Sequence, residues 1–565
     1  MSLPLATPKL SARESGRGAS ALPVDELPLL QRTADASALA YVTPSSRTIG
    51  APLSLLRAPV PAIPATPRMP DRAPGVGEQY RFHVDMGACI GCKCCVVACN
   101  EQNGNPAEIN WRRVGELEGG WYPDAMRAYL SMGCNHCLEP TCLAGCPVDA
   151  YTKDEATGIV RHSADTCIGC QYCTWNCSYG VPQYNPERGV VGKCDMCHGR
   201  LSAGQMPACV NACPEGAIAI EIVAAADWRA AVAAATLATP GGLPTGDDSL
   251  SATRITLPAN LPPNAAPRDI THVVPDHPHW PLVVMTVLTQ LAVGAFTTIW
   301  LLQLLGASTH LDVAALTSLA VGGLALAAST LHLGRPAFAY RALRMWRRSW
   351  LSREVLLFSA FSGVAGAYAG MLWLDLPGST AVGALTVLLG LAGVTASACI
   401  YRVPSRPSWN TPHTLAQFNL TAALLGPLLA GAVGAGDTRW LAVAAATMAG
   451  AQFVATALGF FRCIASDRLE LKGTARLLST VLARRFVARG VLLALGAIVL
   501  PLFSAGLQGG LVPPSGLAWA SPVYLLPAAL VLAVAGEILG RHLFFVSAVP
   551  KHLAAPYIAA AREAA

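Results

Sequence analysis

Charge is scarce in this chain: Asp, Glu, Lys and Arg make up 13% of its 565 residues, against 53% hydrophobic. A protein so apolar on average is not wholly soluble, and at this length it exceeds one domain. Residues 1–279 contain no dinucleotide-binding fingerprint and no stretch long enough for a flavin or molybdopterin domain, so substrate chemistry of that kind must reside on another chain. The opening Met1-Ser-Leu-Pro-Leu-Ala has neither a basic segment leading into an apolar core nor a twin-arginine pair, and does not read as an export signal. Histidine is missing from the middle of the long apolar segments. His332, His413 and His542 fall at their ends, and no haem b, which needs two facing axial histidines, is expected.

What the chain has is cysteine, with 17 of its 19 lying between Cys89 and Cys213 and sixteen of those falling into four groups. The first, Cys89-Ile-Gly-Cys92-Lys-Cys94-Cys95-Val-Val-Ala-Cys99, is a C-x2-C-x2-C-x3-C run. The second holds Cys134, Cys137, Cys142 and Cys146, with four residues where the first has two. The third, Cys167, Cys170, Cys173 and Cys177, returns to the short spacing, and the fourth holds Cys194, Cys197, Cys209 and Cys213. Three closely spaced thiolates can wrap one iron-sulfur cube while the fourth, often followed by Pro, reaches the neighbouring cube, so four groups predict four [4Fe-4S] clusters. Zinc is the rival metal for C-x2-C pairs, but four sulfurs this close in sequence make no easy tetrahedron. A disulfide framework belongs to small secreted domains. Cys94 reads as a bystander, and Cys399 and Cys463 as packing residues of apolar helices.

The charge is also uneven along the chain. Residues 1–279 carry 21 Lys+Arg and 26 Asp+Glu (net −5) and residues 280–565 carry 19 and 8 (net +11), the pattern of an acidic head on a basic, apolar anchor. Residues 1–78, rich in Pro, Ala and Ser, are read as a disordered or extended N-terminal arm with room for a short helix over 24–40. Residues 79–222 are read as an α+β ferredoxin-like electron-transfer domain, entered by the alternating strand Tyr80-Arg-Phe-His-Val-Asp and closed by a strand after Cys213. Residues 223–278 read as a linker that begins with an Ala-rich helix over 224–238, needs no buried core and runs along the head and down to the membrane.

Residues 279–550 read as an all-α eight-helix transmembrane bundle and 551–565 as a C-terminal tail. The helices are expected at 280–304, 311–331, 354–374, 379–400, 414–435, 440–461, 488–507 and 523–545, each long enough for a hydrocarbon core of ~30 Å. With the head in the cytoplasm, its side of the membrane receives 18 Lys/Arg from loops and the C-terminus, and the other side only Arg439. The positive-inside rule then places the chain as a multi-pass protein of the inner membrane with head and both termini cytoplasmic.

A string of clusters beside a membrane bundle needs an electron source and a sink, and a quinone requires only an apolar cleft with a group that binds its oxygen and passes protons. His332, in His332-Leu-Gly-Arg335-Pro, and Glu354, in Trp350-Leu-Ser-Arg-Glu, stand on the head side of the anchor. Ionisable residues in membrane segments are candidates for function, and histidine titrates near neutrality. The bland alternative is an interfacial histidine and a helix-start acid favoured by the dipole. Glu537 and Arg541, one turn apart, would pair or join the same pocket.

In its cysteine spacing, 80–222 resembles the four-cluster iron-sulfur subunit of the dimethyl sulfoxide reductase family of molybdoenzymes. Residues 276–550 look like that family's quinol-binding anchor subunit, on the strength of Asp276-His-Pro-His-Trp-Pro-Leu-Val, His332-Leu-Gly-Arg-Pro, Leu351-Ser-Arg-Glu and Gly540-Arg-His-Leu-Phe-Phe-Val. Here the two are joined in one chain. The resemblance implies a nested pairing: Cys89, Cys92, Cys95 with Cys213; Cys194, Cys197, Cys209 with Cys99; Cys134, Cys137, Cys142 with Cys177; Cys167, Cys170, Cys173 with Cys146. It also implies His332, Arg335 and Glu354 as quinone or menaquinone residues. The expected partners are a separate molybdopterin catalytic subunit, membrane lipids and quinone, with no nucleic acid.

The resulting expectation is an electron-transfer and membrane-anchor subunit exchanging electrons between the quinone pool and a cytoplasmic catalytic subunit. One rival is the same role in a cytoplasm-facing sulfite dehydrogenase that reduces quinone. A rival of another class is a redox-driven membrane transport module, against which the helices offer no chain of buried acids or lysines through the mid-bilayer.

Overall fold

The computed structural model describes residues 68–238, 249–262, 264–268, 273–509 and 522–551. The expected arm up to residue 67, its helix over 24–40 and the tail beyond 551 lie outside the described residues. The described residues form one compact unit.

The head is built on short strands: β1 (Glu78–Asp85), β2 (Arg113–Gly119), β3 (Met126–Met132), β4 (Ile218–Ala224) and β5 (Arg254–Thr256). In β1 the alternation buries Phe82 and Val84 and turns Arg81 and His83 outward. The strand pairs antiparallel with β4, from Glu78 opposite Ala224 to Val84 opposite Ile218. One helical stretch, α1 (Cys94–Asn103), carries the end of the first cysteine group. Much of the interior is sulfur: Cys95, Cys134, Cys194 and Cys209 are buried in one cluster with Phe82 and Leu130.

Residues 223–278 make buried contacts with the head that the linker expectation did not require. After α2 (Ala225–Ala238), the chain returns to the head, where β5 pairs parallel with β1 and Ala266–Pro267 pairs with β2. Trp228 is buried and donates its indole N–H to Ser251 O at 2.7 Å. Thr253 Oγ1 donates to Asn135 Oδ1 at 2.7 Å. The reason is backbone satisfaction: an open edge of β1 beside buried polar groups needs a partner, and this segment supplies it.

Among the described residues eight helices are long and apolar enough to cross a membrane: α3 (Trp280–Leu304), α4 (Leu311–Thr330), α5 (Trp350–Trp373), α6 (Ser379–Ile400), α7 (Pro412–Ala432), α8 (Thr438–Ala465), α10 (Ala483–Gln508) and α11 (Pro522–Ser547). A shorter amphipathic helix, α9 (Leu469–Ser479), lies between α8 and α10 and buries Leu471 and Leu477. The chain is thus a multi-pass membrane protein. α3 is the central helix, and Gly294 on it faces Gly426 and Ala422 of α7 so closely that neither glycine has room for a Cβ. The third span begins at Trp350, four residues before the sequence expectation. Arg353 remains in its first turn by bending back over the Trp350 ring, 4.4 Å from its centroid, and donating to Arg347 O at 2.7 Å.

The head docks on one end of the bundle through the segment between α4 and α5. The backbone N–H of Arg335 donates to Ile168 O at 3.1 Å, and Arg341 donates to Asp165 O at 3.0 Å. Arg348 pairs with Asp149 at 2.6 Å, and Ser349 donates to Gly145 O at 2.7 Å. Gly334 meets Gly189 backbone to backbone with no space for a side chain. Several of the arginines counted for membrane orientation therefore also grip the head.

Candidate functional site

The structure gathers the sixteen grouped cysteines into four sets. Cys89, Cys92, Cys95 and Cys213 line one cavity, Cys134, Cys137, Cys142 and Cys177 a second, and Cys146, Cys167, Cys170 and Cys173 a third. Cys99, Cys194, Cys197 and Cys209 lie within electrostatic reach of one another. Cys94 is exposed and takes no part in lining the first cavity.

The thiols surround hollows rather than closing on a point. Among the described residues no three His, Cys, Asp or Glu side chains converge as ligands of a single ion would, and four thiolates on one zinc would stand only about 3.8 Å apart. A cube-sized inorganic group fits such sets. Burial pushes the Cys99 and Cys170 thiols up to about 12, so deprotonating them is costly unless a cation shares the charge.

Buried side chains join the sets in a line. Arg112, 1% exposed, lies among Cys95, Cys99, Cys194 and Cys209, donates to Ser131 Oγ at 3.1 Å and covers the Phe82 ring. Lys193, 3% exposed, lies among Cys134, Cys142 and Cys194, with Nζ 3.6 Å from Cys134 Sγ and bonds to Val160 O and Cys194 O. Tyr151 lies among Cys142, Cys146 and Cys173. Neither cation has a carboxylate ion-pair partner within 4 Å among the described residues. Both stand where thiolate-ligated iron would place negative charge, and backbone N–H groups of Ala150, Gly169 and Met196 point at Cys146, Cys167 and Cys194 sulfurs at 3.3–3.4 Å. Sequence reasoning missed Arg112 and Lys193. The only signal was their position among the cysteines of an otherwise acidic head.

The set containing Cys146 and Cys167 sits on the bundle, packed with Leu333, Phe338, Leu351 and Val355. Beyond it Tyr172 and Trp175 enter the core of the membrane helices. Trp175 is 5.3 Å from the His279 ring and 5.8 Å from Tyr401, centroid to centroid. His332 belongs to the His279 side: it is half-buried, its Nδ1 is fully buried with no partner, and burial pushes it down to about 4. Glu354, 5% exposed, faces Ser397 and lies beside Tyr172 and Tyr401. Trp175 therefore connects the neighbourhoods of the two residues.

Arg335 makes a contact with the head that the quinone-site expectation did not include. Its guanidinium donates to Ala164 O at 2.8 Å, which makes it a clamp on the head. Glu537 and Arg541 make no direct ion pair, although the charge of Glu537 reaches Arg541 and both line one cavity, which His332 does not. Glu537 accepts from Thr421 Oγ1 at 2.8 Å, whereas Arg541 donates to Gln290 Oε1 at 2.9 Å and covers the Phe418 ring. Their separation reflects geometry along one helix face: each finds a neutral polar partner on a different neighbouring helix. The bundle interior thus holds a buried acid among polar partners that hydropathy alone does not reveal.

Comparison with known proteins follows the same division. Residues 125–222 match the family model of a 4Fe-4S dicluster domain, and residues 275–502 match that of the DMSO reductase anchor subunit (DmsC). The B subunit of the anaerobic dimethyl sulfoxide reductase of Haemophilus influenzae is 41% identical over 146 residues, which cover 24% of this chain and 71% of that protein. The B subunit of the Escherichia coli K12 reductase is 42% identical over 144 residues, 24% of this chain and 70% of the relative. The formate dehydrogenase iron-sulfur subunit of Haemophilus influenzae is 40% identical over 153 residues but matched over only 49% of its length. This chain belongs to the dimethyl sulfoxide reductase iron-sulfur subunit family and carries that family's membrane-anchor domain on the same polypeptide.

Proposed function

We propose that the chain holds four [4Fe-4S] clusters and relays electrons from a membrane quinol to a separate molybdopterin catalytic subunit on the cytoplasmic face, in a complex that reduces S-oxides. The observation that carries this reading is the line of thiol sets running from exposed Cys92 to Cys170 against the membrane helices. The names of the dimethyl sulfoxide reductase relatives supply the substrate class.

In this reading each of the four thiol sets holds one cluster, and bound clusters supply one-electron redox chemistry. Arg112 and Lys193 offset the negative charge of the sets they join. The catalytic partner docks at the Cys89 end, where Ile90 is 56% exposed beside an open hollow lined by Met86, Met126 and Pro258. At the other end, oxidation of a quinol releases two electrons and two protons. His332, held neutral by burial, accepts one proton and the Glu354 carboxylate the other, both on the head side of the bundle. Arg335, Arg341 and Arg348 keep the head seated over this site.

The test is metal analysis of the purified chain. About sixteen iron atoms per chain and cubane EPR signals on reduction are expected, from four irons in each cube. Iron-free protein loaded with zinc would sink the proposal. The direction of flow is read by mixing a quinol analogue with an S-oxide in the intact complex and following quinol oxidation.

A further inference from the structure

A further cavity, of about 120 Å³, lies among α7, α8, α9, α10 and α11, and neither His332 nor Glu354 lines it. Its head-side rim includes His413, the second residue of α7, and Ser547, the last of α11. Its floor includes Gln452 and Glu537, near the middle of their helices.

Three arginines line this space, Arg462, Arg489 and Arg541, against one acid, Glu537. Arg489 is 8% exposed and Arg541 5%, while Arg462 is exposed at the rim. Arg489 donates to Thr456 Oγ1 at 3.1 Å and Arg541 to Gln290 Oε1 at 2.9 Å, both neutral acceptors. Glu537 is already engaged by Thr421 and Gln452, and no ion pair joins it to either buried arginine. The Nε–H of Arg489, the Nε–H of Arg541 and Nε2 of His413 are all buried with no hydrogen-bond partner.

Buried guanidiniums persist when an anion or a complete set of acceptors neutralises them; here one carboxylate, Glu537, acts on Arg541 without direct contact, against two buried guanidiniums that each keep an unpartnered Nε–H. The site is also shaped for these side chains. A Cβ at Gly540 would overlap Arg489 Nε, and one at Gly459 would stand 2.7 Å from His413 Nε2. Glycine at both places lets the polar side chains cross the helices into the cavity.

We propose that this cavity is a binding site for a phosphate group, entering from the head-side interface and held by Arg489 and Arg541 with His413 at the rim. A tetrahedral oxyanion presents several acceptors to guanidinium N–H groups, which suits the unpartnered Nε–H donors. The same chemistry comes from the headgroup of an anionic phospholipid or from free phosphate. A proton inlet leading to Glu537 is the competing use of the space. Two buried guanidiniums beside the route disfavour it, because fixed positive charge repels cations from a narrow polar passage.

The test uses the intact membrane complex in detergent, titrated with inorganic phosphate at constant ionic strength, with phosphatidylglycerol micelles and with micelles of an uncharged glycolipid. Binding is read by calorimetry and by the rise in thermal unfolding temperature. Phosphatidylglycerol should bind and the glycolipid should not. Protection by inorganic phosphate as well identifies free phosphate as sufficient, whereas protection by the lipid alone identifies the headgroup. Arg489→Gln and Arg541→Gln should each weaken the binding about tenfold or more, the loss of a charge-assisted hydrogen bond, and Arg439→Gln should leave it unchanged. Gly540→Ala, which keeps every charge but displaces Arg489, should weaken it too and serves if an arginine variant fails to assemble. Equal binding of phosphatidylglycerol to wild type and Gly540→Ala, or no binding of either phosphate probe, overturns the proposal. So does loss of proton uptake in Glu537→Gln with no phosphate probe bound to wild type.

Discussion

Lys193 and Arg112 are the side chains whose burial most needs a reason, since each places a full positive charge in the head with no carboxylate ion-pair partner among the described residues. Thiolate-ligated iron supplies that reason, and removing one cation should make the neighbouring iron harder to reduce. Lys193→Met is expected to lower a reduction potential on the order of 100 mV, a unit charge several ångströms away at an effective dielectric near 20, measured by EPR-monitored redox titration at unchanged iron content. His332 makes a different forecast. Burial pushes it to about 4, below the ordinary 6.5, so it stays neutral through the usual histidine range. Quinol oxidation limited by His332 should therefore hold steady as pH falls past 6.5 and decline only toward 4. His332→Gln should slow it by about a hundredfold, the scale of one general base, without loss of iron. A wild-type decline centred at 6.5 that the variant abolishes would contradict this.

At the scale of elements, β1 and β4 close the head around a charged cluster. Burial pushes Glu221 up, but the hydrogen bond from His83 and the charges of Arg81 and Arg254 outweigh it and bring the carboxyl down to about 2 from 4.5. The folded state thus holds this proton less readily than the unfolded chain. The stability it contributes is complete above 4.5 and is lost as pH falls from 4.5 toward 2. Glu221→Gln should cost about 1–2 kcal/mol at neutral pH and flatten stability between pH 5 and 3, read by thermal unfolding at each pH. The β1 alternation and the closing strand were legible because a half-buried strand has a period of two. Residues 223–278 were not, since nothing local in a Pro- and Asn-rich stretch records which sheet edge it will cover.

For the whole molecule, the decisive contact is the seat of the head on the bundle. Gly334 and Gly189 touch through their backbones, so a larger side chain at either place must lift the head. Gly334→Val is expected to leave membrane insertion and iron content intact while lowering quinol oxidation about a hundredfold, the scale of a displacement of about 1 Å. Full activity with the head still seated would show that this contact does not set the transfer geometry.

Sequence by itself determined the four cysteine groups, the eight spans and the positive charge of alternate loops, because thiolate spacing, hydropathy and loop charge are local properties. Tertiary structure decided the rest: which cysteines meet, which cations lie between them, and that Arg335 grips the head while Arg489 and Arg541 share a cavity with Glu537. Those facts depend on contacts between residues far apart in the chain, and a side chain's neighbours across such distances leave no periodic trace in the order of the residues.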